Sequence, residues 1–199
     1  MKKFGHLAYN QLPGKSPTVV FLSGFKSDME GAKALFLEAV CRQSGHAFLR
    51  FDYSGHGKSG GKFEDGTIGQ WKSDILKIID QATSGELILV GSSMGGWLML
   101  LAALARPERV KALIGIAAAP DFTEELIWKK FTPAEQKQIA QSGKIIIDNC
   151  NPGEEPYPIT KKLIEDGRKY LLLTKTPHPA LAAGSGKKPP ASSAGCAEY

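Results

Sequence analysis

Gly91-Ser92-Ser93-Met94-Gly95 stands where the apolar run Glu86-Leu87-Ile88-Leu89-Val90 gives way to helix-like spacing that begins at Met94. A serine between two glycines at such a junction marks a turn sharp enough to lift its hydroxyl clear of the backbone. The glycines let strand and helix pass closely around it. The pentapeptide therefore constrains this part of the chain to a strand, a tight turn and a helix, with Ser93 as candidate nucleophile. With glycine and serine each at roughly 7% of residues, G-x-S-x-G arises by chance in on the order of 0.07 chains of this length, so the strand and helix around it strengthen the assignment.

Three more runs, Thr18 to Leu22, Ala47 to Phe51 and Ala112 to Ala117, are nearly unbroken in apolar residues, as parallel strands covered on both faces require. Helical spacing alternates with them. Over Ala32 to Gln43, the residues Ala32, Leu35, Phe36, Ala39 and Val40 share one apolar face, and Gly45 follows as a stop. Thr67-Ile68-Gly69-Gln70 is a capping-box pattern ahead of Trp71, Ile75, Ile78 and Ile79. A third helix runs from Met94 to Ala105 and ends before Pro107. The alternation predicts an α/β fold over residues 1–119, a doubly wound and mostly parallel sheet with helices on both sides. Residues 120–173 break into short amphipathic pieces, with Thr132-Pro133-Ala134-Glu135 opening one helix and Thr160 to Gly167 holding another. They predict a helical lid more than further sheet. Residues 174–199 turn to Pro, Ala, Gly, Ser and Lys, a low-complexity composition that predicts a disordered tail.

A chain of 199 residues, 42% of them apolar, can bury one sizeable core. Its net charge of +5 comes from 25 basic and 20 acidic residues that are interspersed, with no basic cluster interleaved with aromatics, so no nucleic-acid partner is expected. Gly55-His56-Gly57-Lys58-Ser59 lacks the full spacing of a phosphate-binding loop. Met1-Lys2-Lys3 has the charge of a secretory leader, but Phe4 to Gln11 forms no apolar segment, and no run approaches the roughly 18 apolar residues of a membrane span. Cys41, Cys150 and Cys196 are odd in number and match no metal or redox spacing, so no metal site and a reducing compartment are expected. That compartment is the cytoplasm, or the mitochondrion for a eukaryotic relative whose transit segment has been removed. No pattern bears on oligomeric state.

Three segments together resemble the α/β-hydrolase superfamily over roughly residues 5 to 173. They are Phe21-Leu22-Ser23-Gly24-Phe25-Lys26, Phe51-Asp52-Tyr53-Ser54-Gly55-His56-Gly57-Lys58-Ser59, and Val90-Gly91-Ser92-Ser93-Met94-Gly95-Gly96-Trp97. In the first, Ser23 occupies the position where such enzymes usually carry histidine. Arg50 to Gly55 and Gly91 to Leu100 are most similar to the acyl-protein thioesterase and acyl-glucuronide esterase branch, whose best-known members are mitochondrial depalmitoylating hydrolases. The resemblance implies hydrolysis of a carboxylic ester or acyl thioester, on a small molecule or a protein, through a Ser93 acyl-enzyme and without a cofactor. It also implies an oxyanion hole from the backbone N–H groups of Phe25 and Met94.

A serine needs a base to take its proton and an acid to orient that base, and in this fold the order along the chain is Ser, acid, His. The acid-bearing and Asp-His segments of the resembling family have no counterpart here, so the expectation is a sheet without its last two strands and an impaired enzyme. Of the histidines, His6 falls in the first edge-strand candidate, His46 begins a strand and His56 lies in a glycine-rich loop; His178 alone follows Ser93 and is the candidate base. Asp121, just past the Ala112 to Ala117 strand, is the candidate acid or else a helix N-cap. Asp148 and Asp166 are expected in solvent and Asp52 in a structural role. A peptidase of the proline-iminopeptidase sort and a lipase remain open, as does a catalytically silent hydrolase fold that binds acyl ligands or a partner. A sheet lacking those strands would expose Ala112 to Ala117 as an apolar edge, which predicts low solubility.

Overall fold

The four apolar runs become the parallel heart of one sheet. The computed structural model describes residues 1–148 and 155–173; His178, Cys150, Cys196 and the predicted tail lie outside them. The strands β1 (Lys2–Phe4), β2 (Leu7–Leu12), β3 (Lys15–Leu22), β4 (His46–Phe51), β5 (Leu87–Ser92) and β6 (Val110–Ile116) lie in the order β1-β2-β4-β3-β5-β6. β4, β3, β5 and β6 run parallel, and the β1–β2 hairpin adds antiparallel to β4. His6 sits in the turn of that hairpin, not in a strand, and its Nε2 lies 2.8 Å from Ser54 Oγ.

Helices α2 (Ile68–Ala82) and α3 (Met94–Ala105) cover one face, where Leu22, Leu89, Trp71 and Trp97 share a core. Thr67 caps α2 by accepting the Gln70 N–H at 3.2 Å, and Trp71, Ile75, Ile78 and Ile79 are all fully buried at the spacing read from the sequence. Helix α1 (Ala32–Ser44) covers the other face over Phe21, Phe48 and Val90. Its apolar stripe is turned the other way: Leu35, Phe36 and Val40 are exposed, Phe36 by 68%, while Ala34 and Cys41 are buried. Two small side chains seven positions apart let the helix lie close on the sheet, and the large ones point outward. Burial pushes the Cys41 thiol above its ordinary pKa.

The segment after β6 holds more than a helical lid. A π-helical turn (Thr123–Ile127), a 3-10 turn (Trp128–Lys130) and α4 (Pro133–Ser142) lead into β7 (Lys144–Ile147) and β8 (Tyr157–Thr160), an antiparallel pair, and then α5 (Lys161–Gly167). The predicted capping box is complete on α4, with Thr132 and Glu135 each accepting from the other's backbone N–H. Tyr157 and Ile159 alternate inward to join the main core, so the hairpin is tied to the sheet domain. Among the described residues, no helix is long and apolar enough to cross a membrane.

Candidate active site

Ser93 sits between β5 and α3 with φ 52° and ψ −120°, a backbone conformation that costs a non-glycine residue about 1–3 kcal/mol. The surroundings hold it there. Its N–H donates to Ile116 O at 3.0 Å, and its carbonyl accepts the N–H groups of Gly96 at 2.9 Å and Ala119 at 3.0 Å. The flanking glycines are required by close approach. A Cβ on Gly91 would stand 2.7 Å from Gly96 Cα, and one on Gly95 would press into Leu22 O and stand 2.6 Å from Ser23 O.

The loop after β3 passes beside this turn, since a Cβ on Gly24 would lie 3.4 Å from Ser93 Cβ. Neither the Phe25 nor the Met94 N–H donates to an acceptor among the described residues. Met94 opens α3, where free N–H groups and the helix dipole favour negative charge. The Phe25 ring is packed by Phe63, Trp71, Phe122 and Tyr157, with centroids 4.9–5.9 Å away, so its backbone is fixed from four sides. Lys26, at φ 58°, clasps the lid: its Nζ donates to Glu155 O at 3.1 Å and lies 4.9 Å from the Tyr157 ring centroid. Asp52 organises the neighbouring loop by accepting the N–H groups of Met29 and Lys58, each at 2.7 Å, and burial raises its pKa.

Ser93 Oγ makes no hydrogen bond to a described residue. His46 does begin β4, with its Nδ1 buried and without a partner among the described residues. His56 is 4% exposed in a box formed by Tyr53, Phe63 and Trp71, and burial lowers its pKa to about 4. Its Nδ1 lies 3.3 Å from Ser54 O, while Nε2 is buried with no partner among the described residues. Asp148 is exposed as expected, but Asp166 is half-buried and accepts the Gly69 N–H at 2.7 Å, which ties α5 to the start of α2.

Asp121 is fully buried, and its carboxylate is engaged by backbone: Leu172 N–H at 2.8 and 3.0 Å and Leu173 N–H at 2.7 Å. These bonds span some fifty positions, and nothing in the local sequence announces them. They hold the last described residues against the carboxyl end of the sheet, together with the bond from Trp97 Nε1 to Tyr170 O at 3.2 Å. Asp121→Ala is expected to lower unfolding free energy by about 2 kcal/mol in urea titrations, because it strands two N–H donors of a charge-assisted site.

A mostly parallel sheet with helices on both faces, carrying a serine in a strained turn at the carboxyl end of β5, defines an α/β hydrolase. The chain belongs to the serine aminopeptidase S33 family of α/β hydrolases, whose profile matches residues 15–158. It is 45% identical over 171 residues to human mitochondrial palmitoyl-protein thioesterase ABHD10, covering 84% of this chain and 55% of that protein. The chain thus spans little more than half the length of the curated relatives it matches. Among solved structures, alpha/beta hydrolase domain-containing protein 10 from mouse superimposes with a TM-score of 0.76 at 43% identity, over 84% of this chain and 66% of that one. Est1E from Butyrivibrio proteoclasticus, in its ferulic-acid complex, gives a TM-score of 0.65 at 26% identity, over 82% and 67%. The resemblance to the thioesterase-like branch therefore holds, and the chain is a hydrolase by family type.

Proposed function

We propose that the chain cleaves carboxylic esters or acyl thioesters by acyl transfer through Ser93. The observation that carries this reading is the strained elbow, with a free hydroxyl beside two unengaged N–H donors. Ser93 Oγ bonds to the acyl carbon, the Phe25 and Met94 N–H groups stabilise the oxyanion, and the thiolate or alkoxide leaves with a proton. Water then hydrolyses the acyl-serine. Part of the acyl portion enters a cleft of about 100 Å³ lined by Ile127, Lys130, Phe131, Ile147, Tyr157 and Ile159, whose Tyr157 touches Phe25. Similarity to the palmitoyl-protein thioesterases favours a long acyl group and a mitochondrial setting.

Turnover is impaired in this reading. No described imidazole hydrogen-bonds Ser93, and Asp121 is committed to Leu172 and Leu173; His178, which follows Ser93 in the sequence, is the base we assign. An elbow and oxyanion donors alone retain about 10³–10⁴-fold over water. Fluorophosphonate labelling of the purified chain, read by intact mass, is expected to be slow, to need the folded state and to vanish in Ser93→Ala. His178→Ala should slow it further; an unchanged rate would remove His178 from the mechanism. The unpartnered Ser93 hydroxyl also favours a second reading, a silent hydrolase fold that binds acyl ligands. Folded protein that never labels would leave that one standing.

A further inference from the structure

We propose that the Ser27 hydroxyl is a third donor to the oxyanion, beside the Phe25 and Met94 N–H groups. The inference rests on the acyl-transfer reading and deepens it by adding a residue to its site. Gly24, Phe25, Lys26 and Ser27 form one tight turn, closed by the Ser27 N–H donating to Gly24 O at 3.2 Å. Its third residue, Lys26, has φ 58°, the left-handed conformation that a type II turn demands there and that glycine adopts at less cost. The strained residue is held from outside the turn, by the bond from Lys26 Nζ to Glu155 O and by the Tyr157 ring beneath that ammonium. The lid therefore fixes where the turn ends, and the turn ends on Ser27.

That end lies against the nucleophile. From the point where a Gly24 side chain would begin, Ser93 Cβ is 3.4 Å away, Ser92 O 3.5 Å and Ser27 Oγ 3.6 Å. The Ser27 hydroxyl and the Ser93 side chain thus flank one small space, which a residue larger than glycine at position 24 would fill. Ser27 belongs to the same turn as Phe25, so its hydroxyl approaches from the side of Ser93 that carries the Phe25 N–H. It is also uncommitted: Ser27 is exposed, and its Oγ bonds to no described residue. A hydroxyl free to rotate can turn its proton to an oxygen as charge develops there, and a hydrogen bond to a charged acceptor is about twice as strong as one to a neutral carbonyl. Ser27 keeps its proton throughout; it donates a hydrogen bond and takes no part in the covalent step.

A fluorophosphonate sets its P=O oxygen among these donors as Ser93 attacks, so the labelling rate of the purified chain reports on them. Ser27→Ala is expected to slow labelling by about tenfold or more at an unchanged melting temperature, and Ser27→Thr, which keeps the hydroxyl, to recover most of the rate. A part in the turn alone would leave alanine as fast as the native chain. Octanoate supplies a second measurement that needs no turnover, because its carboxylate offers the donors a charged oxygen; its binding is followed by amide NMR at Phe25 and Met94. Its Kd should rise about tenfold in Ser27→Ala and return in Ser27→Thr. Where the native chain labels, the labelling rates decide. Where it does not, the acyl-transfer reading fails and octanoate decides: binding that weakens in Ser27→Ala keeps Ser27 as a donor to a bound carboxylate. Rates, or in their place affinities, that ignore Ser27→Ala, a threonine variant as poor as alanine, or a native chain that neither labels nor binds octanoate would overturn the proposal.

Discussion

Gly95→Ala is expected to lose about 3 kcal/mol of unfolding free energy and, with it, all labelling at Ser93, although it adds a single methyl group. The added carbon would press into Leu22 O and stand 2.6 Å from Ser23 O. These are main-chain atoms of β3 and its following loop, and β3 is fixed between β4 and β5, so neither can withdraw by a rotamer change. Relief must come from moving α3 off the sheet, which displaces Met94 and opens the elbow. Urea titration of Gly95→Ala beside Gly31→Ala tests this directly. At Gly31, the α1 N-cap, the nearest atom to an added Cβ is Asp28 O at 3.6 Å and φ is −62°, so the methyl group fits and that control should shift by no more than about 1 kcal/mol. Equal stability of the two variants would mean that the packing of α3 on β3 is looser than described.

Acid should weaken the fold through His56. Burial lowers its pKa from 6.5 to about 4, so between those values the unfolded chain binds the proton that the folded chain refuses. Stability from this group is therefore complete above about pH 6.5 and is lost as pH falls towards 4, a difference of about 3 kcal/mol. Protonation cannot be accommodated in place: Nε2 has no acceptor among the described residues, and the surrounding rings offer none. Asp52, whose pKa burial raises, works in the opposite sense near the acid end of the window. Urea titrations at pH 7, 5.5 and 4.5 on the native chain and on His56→Leu separate the two, because leucine removes only the histidine's contribution. A pH slope unchanged by His56→Leu would assign the acid sensitivity elsewhere.

Much of this architecture is legible in the sequence, for physical reasons that differ by element. The central strands read clearly because strands buried on both faces need continuous apolar runs, and the ends found for β4 and β5 fall within two residues of those read. Trp71, Ile75, Ile78 and Ile79 read clearly because only one stripe of α2 is apolar. Helix α1 has two candidate stripes, and the sequence favours the bulkier one, whereas the sheet accepts the smaller, built on Ala34 and Cys41. The β7–β8 pair was not legible as sheet: each strand has four residues, and their pairing depends on a partner outside the local pattern. Within the site, glycine and serine spacing locates the elbow, but the bonds from Leu172 and Leu173 to Asp121 join distant positions and leave no local trace.

Phe25 has two jobs in the proposed mechanism: its N–H is assigned to the oxyanion, and its ring is wedged between Phe122 and Tyr157 of the lid and Trp71 of α2. Any replacement in the lid that shifts Tyr157, chosen to admit a different acyl group, also shifts that ring and the N–H attached to the same residue. In the proposed mechanism, selectivity and rate are thus mechanically geared to each other. Evolution or directed engineering of one will drag the other along unless the Phe25 packing is rebuilt in the same step.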